Sequence, residues 1–213
     1  LNYWRTLLIR ITLLTLCLFM GTILSAQNNV LIEIENANAA YKVIAGDFVR
    51  TQTNVAKGTS IKVDGMLYIV GEDQMAQYYK APSTDLLIIN GNDFYMIRGK
   101  KTNKFNTEKN KTMRSLRNTL LYCVHGKPMV LATENGAEIT AEKKANEYEV
   151  VLISTKKTAR GYAKIVLTYD LKSKLLTKMR MDEYNGNSTL YEMNNLKTNG
   201  NIDAKVFDIP EKK

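Results

Sequence analysis

Four Asn-Gly dipeptides punctuate this chain, Asn90-Gly91, Asn135-Gly136, Asn185-Gly186 and Asn199-Gly200, with Asp64-Gly65 as a fifth candidate. Asn-Gly is the pair that best tolerates positive φ at both centres of a type I′ turn, so its repetition between β-rich runs predicts antiparallel hairpins. The runs are Ile61 to Val70, Ala76 to Tyr79, Leu86 to Ile89, Phe94 to Arg98, Tyr148 to Ser154, Ala163 to Tyr169, Leu175 to Met181, Thr189 to Met193 and Val206 to Ile209. They predict a meander of about nine strands. Pro82, Pro128 and Pro210 fall at edges or connections, where a missing N–H does no harm.

Several strands are apolar on both parities. Met66, Tyr68 and Val70 alternate with Leu67 and Ile69, and Leu86 to Ile89 is apolar throughout. Each face of such a sheet meets protein or ligand, and so many strands hide their edges by curling. One amphipathic helix is expected over Thr112 to Val124, with Met113, Leu116, Leu120, Cys123 and Val124 on one face and Arg114, Arg117 and Asn118 on the other. Thr112 is its candidate N-cap, and Gly126 followed by Pro128 ends it. A second helix is read over Asn36 to Arg50 from Ala37, Ala40, Ile44 and Phe48, against the preferences of Val43 and Gly46. The fold class is therefore α+β, a curved antiparallel sheet forming a half-open β-barrel covered by a few α-helices. Beneath Thr112 to Val124 the stripe covers either ordinary core or an apolar cavity.

With 213 residues, 45% of them hydrophobic, the chain can fill one sizeable core. Arg5 and Arg10 precede an uncharged run from Ile11 to Leu24, and Ser25, Ala26 and Gln27 follow. That order reads as a cleaved secretory signal over residues 1–26, leaving a single soluble, monomeric domain over 27–213 in an exported compartment. Cys17 follows Leu16 inside the apolar run, which is not the context of a lipid-modified cysteine. Cleavage leaves Cys123 as the only thiol, so no internal disulfide forms.

His125 is the only histidine, and one His beside one Cys is too few ligands for a metal. The acid pairs Glu33 with Glu35 and Asp182 with Glu183 come with no nucleophile. No enzyme activity, metal or cofactor is expected. The net charge is +9, and Lys100, Lys101, Lys104, Lys109, Lys111, Arg114 and Arg117 form a basic tract. Export and the scarcity of interleaved aromatics disfavour nucleic acid, which leaves a solvated face or a docking surface for anionic lipid headgroups.

The order of short motifs resembles the periplasmic lipoprotein carrier family LolA. Those motifs are Gly46-Asp47-Phe48 with Arg50 and Thr51, Gly65 leading a strand, Tyr79-Lys80-Ala81-Pro82, Leu86 to Gly91 and Phe94-Tyr95. Towards the end come Leu176 to Asp182, Asn185 to Thr189, Asn199-Gly200 and Phe207 to Pro210. The resemblance implies a periplasmic carrier that shelters acyl chains of lipoproteins or other lipids for transfer to the outer membrane, with inner- and outer-membrane partners. The alternative is a non-enzymatic envelope sensor that binds lipid without transport. For either role, strand parity puts Leu67, Ile69, Met75, Tyr79, Leu87 and Ile89 towards the cavity, with Met113, Leu116 and Leu120 from the lid, as the ligand-contact residues. The chain departs from the pattern at Gly71-Glu72, where the family carries an arginine that latches the lid, followed by a proline, and at Gln77, where an aromatic residue is usual.

Overall fold

The computed structural model describes residues 28–156 and 161–209. The segment read as an export signal, with Cys17 in it, lies outside the described residues, as does Pro210. A helix over residues 28–39, α1, opens the described chain. It is followed by β1 (Val43–Asn54), β2 (Thr59–Val70), β3 (Gln74–Tyr79), β4 (Leu86–Asn90), β5 (Asp93–Arg98) and β6 (Lys101–Asn106). Two helices, α2 (Lys111–Val124) and α3 (Pro128–Asn135), lead into β7 (Ala137–Lys143), β8 (Glu147–Ser154), β9 (Tyr162–Asp170), β10 (Leu176–Glu183) and β11 (Ser188–Thr198).

All eleven strands belong to one sheet, ordered β6-β5-β4-β3-β2-β1-β11-β10-β9-β8-β7, and every pair is antiparallel. Two meanders thus meet where β1 pairs with β11. The first ends at one edge and the second begins at the other, so the chain between β6 and β7 has to cross the sheet. It crosses as α2 and α3, over the concave face of a sheet that curls without closing. This is the half-open α+β barrel expected from the sequence.

Period-two alternation sorts the side chains. Ile44 and Phe48 of β1, Leu67 and Ile69 of β2, and Tyr148, Val150 and Leu152 of β8 are buried in one cluster with Leu31 and Ile34 of α1, Leu120, Leu121, Cys123 and Val124 of α2, and Leu131 of α3. Polar groups fix the helices on this face. The Tyr169 hydroxyl donates to the Cys123 carbonyl at 2.8 Å, the Asn38 amide donates to the Lys174 carbonyl at 2.7 Å, and the Glu33 carboxylate of α1 accepts from Tyr148 and Lys174, each at 2.9 Å. The convex face has its own cluster of Ala76, Leu86, Ile88, Tyr95 and Ile97, capped by Phe207 from a single 3₁₀ turn, Ala204–Phe207. Both parities of β3 to β5 are therefore used, as double-sided apolarity predicts.

The helix expected over Asn36 to Arg50 is corrected. Helix α1 stops at residue 39 and β1 occupies most of that span. Ile44 and Phe48 satisfy a helical and a strand period alike, and hydrogen bonding to β2 on one side and β11 on the other decides the matter. Gly46 is not a helix defect but faces a bulge on β11: from Ala45 to Asp47 the partners run from Lys197 to Asn194, the extra residue being on β11, where Asn195 has φ 53°, and a Cβ on Gly46 would stand 2.7 Å from the Asn194 carbonyl. Strands β6 and β7 were not expected, because as edge strands they are polar. The strand expected at Val206 to Ile209 is replaced by the 3₁₀ turn.

Asn-Gly does less than its turn preference implies. In the β4–β5 hairpin Asn90 pairs with Asp93, so the two turn residues are Gly91 and Asn92, and only Gly91 has positive φ. Asn185-Gly186 lies in the β10–β11 turn with Gly186 at φ 85°. Gly136 instead caps α3 in the left-handed conformation, Asn199 follows the end of β11, and Gly65 sits inside β2 against the Phe48 ring.

Candidate functional site

Helix α2 starts one residue before the expected span, and its N-cap is Asn110, whose side-chain oxygen accepts from the Met113 N–H at 3.1 Å, rather than Thr112. Its two halves differ. From Asn118 to Val124 every residue but Tyr122 is buried, whereas from Lys111 to Arg117 none is. Asn118, placed on the polar face by sequence, is buried and donates to Glu134 of α3 at 2.8 Å. The carboxyl-terminal half is thus held down on the sheet and the amino-terminal half stands over a cleft.

That cleft has a volume of about 470 Å³ and runs between Met113, Ser115 and Leu116 of α2, Tyr162 at the start of β9, and Glu183, Tyr184 and Asn185 of the β10–β11 turn. A neighbouring pocket of about 170 Å³ shares Ser115, Gly161 and Tyr162 with it and reaches Ala137, Leu152 and Ile165. Sites for small organic ligands occupy roughly 300–1,000 Å³, so the larger cleft is of that size. Burial pushes the Tyr162 hydroxyl far above the usual phenolic range, so it faces any ligand as a neutral donor.

The side chains expected from strand parity and the helix stripe to contact ligand all lie on the concave face, in different settings. Leu67, Ile69, Met75, Leu87, Ile89 and Leu120 are packed into the core, and Tyr79 is partly buried against it. Met113 and Leu116 line the 470 Å³ cleft, while Tyr79 and Leu87 line a separate pocket of about 30 Å³. The space beneath the carboxyl-terminal half of α2 is therefore filled by Leu120, Leu121, Cys123 and Val124 against the sheet, and the open volume is displaced to the helix's other half.

Tyr162, Ser115 and Tyr184 were missed from sequence because nothing local marks a cleft wall. Arg50 was missed for another reason. With β1 taken as helix its face was unknown, whereas strand parity puts it on the face of Ile44 and Phe48.

A polar island results within the concave face. Arg50 Nη1 donates to the Tyr79 hydroxyl at 2.9 Å, its guanidinium lies 4.7 Å from the centre of the Tyr79 ring, and the Tyr79 hydroxyl donates to Gln77 Oε1 at 3.2 Å. Gln77, at the position where the resemblance implies an aromatic residue, is thereby a buried polar partner. Phe48 packs edge-on to Tyr79 with 5.1 Å between ring centres. Burial raises the Tyr79 hydroxyl far beyond its ordinary range, with the neighbouring Tyr191 adding to it.

Gly71, aligned with the family's latch arginine, has φ 60° in the turn after β2 and carries no side chain to reach a helix. Its neighbour Glu72 instead accepts from Lys127, in the α2–α3 junction, at 2.9 Å. Of the basic tract, Lys104 pairs with Asp93 at 2.7 Å, Arg114 Nε donates to the Thr107 carbonyl and Arg117 Nε donates to the Gly91 carbonyl. Burial pushes the Cys123 thiol far up, so it is neutral and unreactive. Among the described residues no three His, Cys, Asp or Glu side chains gather as a metal site would require, and no helix is long and apolar enough to cross a membrane.

The family model described as outer membrane lipoprotein carrier protein LolA matches residues 39–210. Among solved structures, an uncharacterized conserved protein from Thermus thermophilus is similar at 9% identity, covering 85% of this chain and 93% of its own, with a TM-score of 0.51. A putative outer membrane lipoprotein-sorting protein domain from Vibrio parahaemolyticus is 12% identical over 86% and 97% of the two chains, with a TM-score of 0.47. A LolA superfamily protein from Nitrosomonas europaea is 9% identical over 86% and 98%, with a TM-score of 0.44. Likenesses at such identity speak to the fold alone. No curated protein matches the chain in sequence.

Proposed function

Since the chain belongs to the outer membrane lipoprotein carrier protein LolA family, we propose that it is a periplasmic carrier that shelters acyl chains of lipoproteins or other lipids for transfer to the outer membrane. The observation that carries this reading is the cleft of about 470 Å³ under the raised half of α2, walled by Met113, Leu116 and Tyr162. Each methylene taken from a membrane into water costs ~0.8 kcal/mol, so a soluble carrier has to replace nearly all of that burial. The cleft offers the first part, and swinging the amino-terminal half of α2 outward, which breaks the bond from Arg117 Nε to the Gly91 carbonyl, extends it along the apolar side chains of β2 to β4. A lid of this kind functions when its states differ by only a few kcal/mol. The division of α2 into a buried half and a raised half supports such a balance.

The test is transfer of a fluorescent acyl probe from donor to acceptor vesicles. Wild-type protein and the surface variant Lys172→Asp are expected to move the probe at substoichiometric amounts. Leu116→Asp, which puts a charge into the cleft wall, is expected to weaken uptake about ten-fold or more. Absence of uptake by the wild type, or equal uptake by both variants, removes the reading. Uptake without net transfer would leave a lipid-binding protein that is not a carrier.

A further inference from the structure

We infer that Arg50 is the receptor for the anionic head of an acyl-chain ligand, a carboxylate or phosphate at the end of a hydrocarbon tail. The inference deepens the carrier reading and rests on it. Arg50 is half-buried on the concave face, yet its Nε–H is fully buried and has no hydrogen-bond partner among the described residues. Nor has it a carboxylate: among the described residues no Asp or Glu lies within 4.0 Å of its guanidinium. Its polar partners are the hydroxyls of Tyr79 and Tyr191, both neutral, with the Tyr79 ring beneath the cation.

A guanidinium keeps its charge in any protein environment, and a half-buried one with a fully buried, unpaired Nε–H and no carboxylate beside it is costly. Sequences keep such groups where a ligand supplies the missing half.

The surroundings identify that half. The pocket of about 30 Å³ beside Arg50 is lined by Tyr79, Leu87 and Met96 on the apolar side and by Asp85 and Arg98 at its rim. Asp85 is shared with Arg98, whose Nε is 3.8 Å away. Two guanidinium groups against one carboxylate leave the pocket net cationic. A volume of 10–15 Å³ is roughly what one water needs, so two oxygens of a carboxylate fit where two waters would. Water would satisfy the N–H and leave the charge uncompensated.

Planar, bidentate recognition of a carboxylate or phosphate is what a guanidinium does best. Hydrocarbon for a tail is at hand, because Leu87 and Met96 line the pocket with Arg50 and Phe48 packs on the Tyr79 ring. On the other side Tyr191, paired with Arg50 across the strands, is near enough to Tyr162 on the cleft wall for their hydroxyls to interact electrostatically. Head at Arg50 and tail towards the cleft is the arrangement these contacts favour.

The experiment compares palmitate with methyl palmitate, equal in chain length and different in charge, as competitors of a fluorescent acyl probe at pH 8. In the wild type palmitate is expected to bind at least about ten-fold more tightly, and in Arg50→Gln the two are expected to come within about two-fold. Arg50→Lys, which keeps the charge and loses the fork, is expected to fall between them. Lysophosphatidic acid displacing the probe better than palmitate would assign the head as phosphate, and the reverse order as carboxylate. Inorganic phosphate displacing palmitate at equal concentration would overturn an amphiphile as the ligand. Equal binding of acid and ester by the wild type, which needs no variant to fold, overturns the role of Arg50 while the carrier reading stands. Failure of every acyl compound to bind overturns the carrier reading itself.

Discussion

His125 ends α2 with its backbone N–H bonded to the Leu121 carbonyl at 3.0 Å, and its imidazole Nε2 is buried with no hydrogen-bond partner among the described residues. Burial, and then the charge of Lys127, hold its proton affinity below the ordinary histidine value, while Glu72 opposes them weakly. The unfolded chain therefore takes up the proton first. The stabilisation from a neutral His125 is complete above about pH 6.5 and is lost as the pH falls from there towards the depressed folded-state value. Each ten-fold difference in proton affinity corresponds to about 1.4 kcal/mol. Because the chain has one histidine, the window from pH 7.5 to 5 belongs to this residue. Carboxylates held low by their partners, such as Glu33 beside Lys174 and Tyr148, lose their contribution only further into acid. The thermal midpoint of the wild type is expected to drop across that window and that of His125→Gln to stay level; parallel curves would show that the imidazole is not the sensing group.

For the elements, the amino-terminal end of α2 gives the sharpest test, since sequence and structure name different caps. Asn110 accepts from the N–H of Met113, and Thr112 lies exposed one residue inside the helix. Asn110→Ala is expected to cost about 1 kcal/mol in urea denaturation, whereas Thr112→Ala stays within about 0.5 kcal/mol. Equal losses would return the cap to Thr112. The same end of the chain shows why other boundaries were legible and this one was not. The body of α2 was visible because Leu120, Cys123 and Val124 repeat with the helical period over enough residues, while a cap is a single hydrogen bond that Asn, Thr or Ser can each make. Strands β2 to β5 and β8 to β10 were visible through apolar runs and alternation. Edge strands β6 and β7 were hidden by their polarity, and β1 by Ile44 and Phe48, whose spacing of four fits either period. Losing β1 cost more than an element, because it concealed that Arg50 shares a face with Phe48.

On the scale of the whole molecule, one sheet serves two faces with separate tasks. The concave parity carries the helices, the cleft and the Arg50 island; the convex parity of β3 to β5 is closed by Val206 and Phe207, with the Tyr78 hydroxyl donating to the Val206 carbonyl at 2.8 Å. The sequence showed this division as apolarity on both parities, and it identified the concave set from Leu67 to Ile89 as one face. It could not show how full that face is, because packing density depends on where α2 rests, and α2 covers the middle of the sheet with one half only. Mutations on opposite faces share no partners, so their effects should be independent. Phe207→Ala removes a buried ring from the convex cluster and is expected to cost about 3 kcal/mol of stability while leaving acyl-probe affinity within two-fold. Leu116→Asp is expected to do the reverse, since its side chain lines the cleft and is only partly buried. Measured as a pair, by denaturation and probe titration on the same preparations, the two variants should cross over. If Phe207→Ala weakened probe binding in proportion to its loss of stability, the sheet would be transmitting strain between its faces, and the cleft would depend on the convex cap.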